Sequence, residues 1–132
     1  MDKKLIVKIV TPYGNYLKTE ADYLELTTGL GVIGILPNHA PIITNILTCK
    51  LTIKNGQQKL FYAVSGGLLN IKEDHTVTIL ANAIESKDEI DLKRAQAAKE
   101  RAESYLEKDD TDVTRAKAAL ARALNRISLF ED

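Results

Sequence analysis

The chain has 132 residues, enough for one domain of ordinary size or a small domain with an appendage. Basic and acidic side chains balance at 18 each, so no basic excess calls for nucleic acid and no acidic block suggests a disordered tail. One cysteine excludes an internal disulfide and a cysteine-based zinc cage. No run approaches the roughly 20 apolar residues of a membrane-crossing helix, and the charged start MDKKLIVKIV lacks the uncharged stretch of a signal peptide, so the chain is expected to stay in the cytosol without inserting into a membrane.

Taken in order, residues 5–10 open with a half-buried strand, Leu5, Val7 and Ile9 alternating with Ile6, Lys8 and Val10, and Thr11-Pro12 with Gly14 stops it. Short strands are predicted at 16–19, 23–27 and 32–36, with Gly29 and Gly31 breaking the pattern and Pro37, Asn38 and Pro41 enforcing a corner. Two further strands, 42–47 and 49–54, lead to Asn55-Gly56, the pair favoured where both central residues of a hairpin turn need positive φ. Residues 58–64 return antiparallel, Gly66-Gly67 permits a sharp bend, and strands at 68–72 and 76–81 close the half. Cys49, alternating with Leu51 and Ile53, reads as a small buried strand residue. Strands punctuated this often predict an antiparallel β-sandwich or barrel, and the absence of any internal repeat favours one compact unit of two packed sheets.

After Ile84 the composition changes. All seven glycines and all three prolines precede that point, whereas all five arginines and nine alanines follow it, which predicts a β-sandwich domain over 1–84 and a helical domain over 85–132. Ser86-Lys87-Asp88-Glu89 fits a capping box, so a helix is expected from Lys87 with the stripe Leu92, Ala95, Ala98, Ala102, Tyr105 and Leu106. Asp109, Asp110 and Asp112 mark a polar break. Thr111 or Asp112 then caps a second helix with the stripe Val113, Ala116, Leu120, Ala123, Ile127 and Phe130. The fold class is therefore an N-terminal antiparallel β-sandwich followed by a two-helix antiparallel hairpin, each arm roughly 30 Å long. Alanine faces bury little area, so docking of this hairpin should reverse easily.

The stretch Gly31-Val32-Ile33-Gly34-Ile35-Leu36-Pro37-Asn38-His39-Ala40-Pro41-Ile42-Ile43-Thr44 resembles the epsilon subunit of F-type ATP synthases. A second block, Ala63-Val64-Ser65-Gly66-Gly67-Leu68-Leu69-Asn70-Ile71, and the strand through Val77-Thr78-Ile79-Leu80-Ala81 extend the resemblance, and the Ala-rich hairpin completes the layout. Leu30 and Gly31 depart from the acidic residue more usual in that turn. The resemblance implies a non-catalytic subunit of the central stalk in a proton- or sodium-translocating ATP synthase, peripheral on the cytoplasmic face of the cell membrane. It implies contacts with the gamma subunit and the c-subunit ring, and a hairpin that either folds on the sandwich or extends toward the alpha and beta catalytic subunits to inhibit ATP hydrolysis. The stalk and c-ring contact is expected on the loop holding Gly31, Val32, Ile33, Gly34, Leu36, Pro37, Asn38 and His39, although turn geometry alone accounts for Gly34 and Pro37.

No Walker A loop, Ser-His-Asp arrangement or metal-ligand spacing stands out; His39 and His75 are far apart and lack ligand companions. No catalytic or metal site is expected. Arg94 and Arg101 are seven apart on one helix face, Arg122 and Arg126 are i and i+4 on the next, and Arg115 lies one heptad before Arg122. An antiparallel hairpin brings such guanidiniums together, and guanidiniums bind phosphate in bidentate fashion. They could equally pair with Glu100, Glu103 and Asp91 on solvated faces. Ile90-Asp91-Leu92-Lys93-Arg94-Ala95 resembles the short ATP-binding motif of several bacterial epsilon subunits. That resemblance implies ATP as a regulatory ligand, with no other cofactor required, on Ile90, Asp91, Arg94, Ala95, Arg101, Arg122 and Arg126. Arg115 and Arg122 are the expected contacts with the catalytic subunits in the extended state. A free-standing ATP sensor and a static structural adaptor are the alternatives.

Overall fold

The computed structural model describes residues 4–107 and 112–131. The expected turn residues Asp109, Asp110 and Thr111 lie outside the described residues. Strand β1 (Leu5–Thr11) buries Leu5, Val7 and Ile9 and turns Ile6 and Lys8 outward, as its alternation requires. It pairs antiparallel with β2 (Gly14–Ala21), with an irregularity between Ile9 and Val10. The remaining strands are β3 (Tyr23–Thr28), β4 (Gly31–Ile35), β5 (Ile42–Asn55), β6 (Gln58–Ile71), β7 (Thr76–Ala81) and β8 (Ile84–Ser86). The strand order is β2-β1-β7-β6-β5-β3-β4, and β8 pairs with β6. All pairings are antiparallel except β1 with β7, where Ile6 faces Thr76 and Ile9 faces Ile79 in parallel register.

Two strands carry the architecture. The four separate strands expected between residues 42 and 72 are two, because one register holds from Ile42↔Ile71 to Asn55↔Gln58, Ile46↔Gly67 and Thr48↔Ser65 keeping it on either side of Leu47 and Gly66. Gly66 and Gly67, at φ 87° and 152°, bend β6 without ending it. A Cβ on Gly67 would sit 2.1 Å from the Leu80 carbonyl oxygen, so the close approach of β7 excludes any side chain there. Beyond their pairing with each other, β6 pairs with β7 through Gly67 to Ile71 and with β8 through Tyr62 to Val64, β5 pairs with β3, and the two layers enclose Leu5, Val7, Ile9, Leu24, Leu26, Ile35, Leu51, Ile53, Val64, Leu69, Val77 and Ile79. The β5–β6 turn is centred one residue later than expected: Asn55 pairs with Gln58, and only Gly56 has positive φ, at 62°. Asp22 Oδ2 accepts the Gly56 N–H at 2.6 Å, which fixes the turn.

The helical half departs from expectation at its start. The Ser86 N–H donates to Glu89 Oε1 at 3.1 Å, as a capping box requires, but the box opens only a single 3-10 turn, Lys87–Glu89. The α-helix α1 (Leu92–Leu106) begins five residues after the expected Lys87, capped by Asp91, whose Oδ1 accepts the Arg94 N–H at 3.1 Å. Ile90 is the reason. Its backbone is extended, which drops its side chain into a buried cluster with Ala63 and Leu129, and a continuous helix would carry it away. Helix α2 (Val113–Ser128) is capped by Asp112 through the Arg115 N–H. At 15 and 16 residues the arms are about 23 Å long, shorter than expected.

The alanine stripes meet as predicted at Ala95, Ala102, Ala116 and Ala123, all buried. Tyr105 and Val113, assigned to the stripes, are about half exposed, whereas Leu129, which belonged to neither, is 3% exposed. It sits one residue past the helix, where the 3.6-residue period no longer applies. The hairpin is folded onto the sandwich through α2, which packs on β5 and β6. Asn125 Nδ2 donates to the carbonyls of Cys49 at 2.7 Å and Val64 at 3.3 Å, and Leu129 closes over Ala63 and Ile90 with Phe61 and Phe130 at the rim.

Candidate functional site

The linker between β8 and α1, together with both helices, encloses a cleft of about 450 Å³, within the usual range for a small-molecule site. Its floor and linker side are Ile90, Asp91, Glu85 and Glu89; α1 contributes Arg94, Ala95, Ala98 and Arg101; α2 contributes Arg126. Ala95 and Ala98 suit the close packing of α1 on α2, since larger side chains would fill the space. Of the residues the sequence singled out for nucleotide contact, Ile90, Asp91, Arg94, Ala95, Arg101 and Arg126 line one cleft. Arg122 is half-buried one turn before Arg126 and is not among the lining residues, and Arg115 is exposed near the start of α2.

Each acidic group on the cleft wall already has a partner. Glu85 Oε1 accepts the Arg126 Nε–H at 2.6 Å, with both side chains about one-third exposed. Asp91 caps α1. Glu89 Oε1 accepts both the Ser86 N–H and the Tyr16 hydroxyl, and these bonds, the tyrosine's first, hold its carboxyl below the usual carboxylate range. Burial, with the Glu89 contact second, pushes the Tyr16 hydroxyl up to about 12. Pairing of the arginines with Glu100, Glu103 and Asp91 is not what the structure contains: among the described residues no ion pair is formed by Arg94 or Arg101, and Glu103 is met by Lys99 at 4.0 Å.

A second set of residues lies at the far side of the sandwich. Of the expected contact loop, Gly31, Val32, Ile33 and Gly34 belong to the edge strand β4, in keeping with the strand predicted at 32–36, and only Leu36, Pro37, Asn38 and His39 make the turn, closed by the His39 N–H to the Leu36 carbonyl at 2.9 Å. Gly34 is explained by packing rather than turn geometry: a Cβ there would lie 2.5 Å from the Tyr23 hydroxyl oxygen. Val32 and Leu36 are exposed, and His75 Nδ1 hydrogen-bonds the Pro37 carbonyl, tying this turn to the β6–β7 connection. His75 is the one non-glycine residue at positive φ among the described residues. The outer sheet face carries Ile43, Leu47, Leu68 and Leu80 exposed, with Leu68 directly opposite Leu80. The sequence reading missed this patch; its signal was apolar residues on both faces of residues 42–47, where one solvated face would have been polar.

The β-sandwich model of the ATP synthase delta/epsilon chain matches residues 4–87, and the long alpha-helix model of the same chain matches residues 88–131. The chain belongs to the ATP synthase delta/epsilon family. Within it, the chain is 44% identical over 106 residues to the ATP synthase epsilon chain of Geobacter metallireducens, covering 80% of this chain and 76% of that one. It is 40% identical over 130 residues to the epsilon chain of Levilactobacillus brevis, covering 95% and 93%. As a fold, this epsilon subunit superposes with TM-score 0.88 on a chain of the Euglena gracilis mitochondrial ATP synthase seen by cryo-EM with OSCP, F1 and c-ring, at 20% identity over 97% of this chain and 82% of that one. The epsilon assignment accounts for a sandwich followed by paired helices. None of the described helices is long and apolar enough to cross a membrane.

Proposed function

We propose that this epsilon subunit works without chemistry of its own, coupling gamma to the c ring and restraining ATP hydrolysis through its helical hairpin, with ATP as the ligand that holds the hairpin down. The observation that carries the reading is the pair Arg94 and Arg101, unpaired among the described residues and facing Arg126 across a cleft whose walls come from the linker, α1 and α2. Triphosphate oxygens suit guanidiniums, which offer forked donors and keep their charge. Because α2 supplies one wall, the cleft is complete only when the hairpin is docked, so a ligand there favours the docked state by linkage. Loss of ATP would release the hairpin toward the alpha and beta subunits, with Arg115 and Arg122 as contacts.

The exposed apolar face of Ile43, Leu47, Leu68 and Leu80 and the edge strand with Val32 and Leu36 suit the gamma and c-ring contacts, at the cytoplasmic face of the membrane. The decisive experiment is ATP hydrolysis by the reconstituted catalytic complex with the full chain and with a truncation after Ser86, which keeps β8 in place. Inhibition by the full chain that weakens as ATP rises, and is absent from the truncation, is expected. Equal rates at every ATP concentration would leave the coupling role and remove the regulatory one.

A further inference from the structure

We propose that Tyr16, outside the cleft, acts as a positioning residue that keeps Arg94 and Arg101 available to a phosphate-bearing ligand by holding the Glu89 carboxylate against the linker. The inference rests on the nucleotide reading and adds to it a residue that no lining pattern would select. Three carboxylates, Glu85, Glu89 and Asp91, and three guanidiniums, Arg94, Arg101 and Arg126, line the same cleft. Left to themselves, such groups neutralise each other in pairs. Only Arg126 and Glu85 have done so among the described residues.

The other two carboxylates are engaged elsewhere. Asp91 is occupied by the first turn of α1, and Glu89 accepts one N–H from the linker and one O–H from Tyr16 on β2, 73 residues away. Tyr16 is itself fixed by the Tyr62 ring, edge to face at 6.2 Å between centroids and 83° between planes. It lines a separate groove of about 570 Å³ that Glu89 also borders, so Glu89 stands between groove and cleft with one carboxylate oxygen engaged by the hydroxyl from the groove side. Without that hydroxyl the carboxylate keeps only its bonds to Ser86 and lines the same cleft as two guanidiniums unpaired among the described residues. A phosphate ligand must then break an exposed ion pair before it can bind, which corresponds to roughly a two- to fivefold loss of affinity.

The test is calorimetric titration of ATP into the full chain as wild type, Tyr16→Phe, Glu89→Gln and the double variant. Phenylalanine keeps the ring against Tyr62, and glutamine can still close the capping box. Tyr16→Phe should bind ATP about two- to fivefold more weakly, Glu89→Gln at least as tightly as wild type, and the double variant like Glu89→Gln, since a neutral amide cannot compete for arginine. Unchanged affinity in Tyr16→Phe, or a double variant as weak as Tyr16→Phe, would overturn the proposal. If the wild type takes up no ATP, the nucleotide reading fails, and a crystal structure of Tyr16→Phe still decides the role of Tyr16. Glu89 paired with Arg94 or Arg101 upholds it, and Glu89 still confined to the Ser86 N–H refutes it.

Discussion

Asn125→Ala should undock the hairpin while leaving both helices and the sandwich intact. The Asn125 amide is the one polar side chain of α2 found to hydrogen-bond backbone of both long strands, reaching Cys49 on β5 and Val64 on β6 at 2.7 and 3.3 Å. Those two residues are register partners, so a single amide nitrogen clasps the sheet where β5 and β6 run together. A hydrogen bond of this kind contributes about 0.5–1.5 kcal/mol net, and the longer of the two belongs at the low end, so losing both costs about 1–2 kcal/mol. That multiplies the undocked fraction by roughly 5 to 30. Alanine is a better helix former than asparagine, so α2 itself does not weaken.

Native-state hydrogen exchange followed by NMR reads this directly. Amides of the sheet beneath α2, around Cys49 and Val64, should exchange no faster than the sandwich's global opening allows, because their ladder persists. Amides in the last turns of α2 and in the linker should speed up by the same 5- to 30-fold factor, since undocking exposes them to fraying. A variant whose α2 amides exchange within twofold of wild type would show that Asn125 does not hold the hairpin, and the docking would then rest on Leu129 and the Arg126–Glu85 pair alone.

The geometry fixes three further outcomes. Gly67→Ala places a Cβ 2.1 Å from the Leu80 carbonyl oxygen at a φ of 152°, so urea denaturation should show a loss of about 3 kcal/mol or more, far above that of Gly14→Ala, where no atom lies within 4 Å of the added Cβ. The raised Tyr16 hydroxyl contributes stability that is fully present below its unfolded value near 10 and lost as pH rises toward about 12; the lowered Glu89 carboxyl contributes stability lost as pH falls through its folded value. Tyr16→Phe should therefore flatten the urea midpoint between pH 10 and 12. Cys49 is 7% exposed and burial pushes its thiol up, so its reaction with an aromatic disulfide should be limited by opening of the native state and accelerate in urea before the global transition.

What the sequence shows plainly is periodicity. Leu5, Val7 and Ile9 alternate and are buried; Ala95, Ala102, Ala116 and Ala123 recur at helical spacing and meet. What it obscures are features set by pairing between distant segments. Gly66-Gly67 looks like the end of a strand because glycine is poor in strands, yet β5 keeps one register with β6 on either side of it. Ser86 to Glu89 has the chemistry of a helix start, and only the pocket formed by Ala63 and Leu129 pulls Ile90 out of helical geometry. In the cleft, the helical spacing of Arg94 and Arg101 is local and legible. The third guanidinium depends on how α2 is seated against α1 and the sheet, which no local spacing shows: Arg126 lines the cleft, and Arg122, on the same face one turn earlier, does not. Tyr16 could not be read at all, since its bond to Glu89 spans the whole sandwich.

The magnitudes of the docking contacts are such that the proposed ligand would suffice to shift the hairpin. The docked hairpin is held by one buried leucine, worth about 1.5–3 kcal/mol, by the Asn125 amide, and by an ion pair about one-third exposed, worth at most about 1 kcal/mol. Against these stands the ordering of the linker and of the side chains that dock, at about 1–2 kcal/mol for each backbone residue fixed. The balance between such terms is of the order of any one of them. A ligand at 100 times its dissociation constant adds about 2.7 kcal/mol to the state it binds, as much as the strongest single contact. Enlarging the apolar contact of α2 with the sandwich would destroy that proportion: each further leucine fully buried between α2 and β5 or β6 adds a contribution comparable to the ligand's, so such a hairpin would stay down whether or not the cleft is filled. On the proposed reading, it is the small cluster around Leu129, with the Asn125 amide and the Arg126–Glu85 pair, that would leave the position of the hairpin open to control from the cleft.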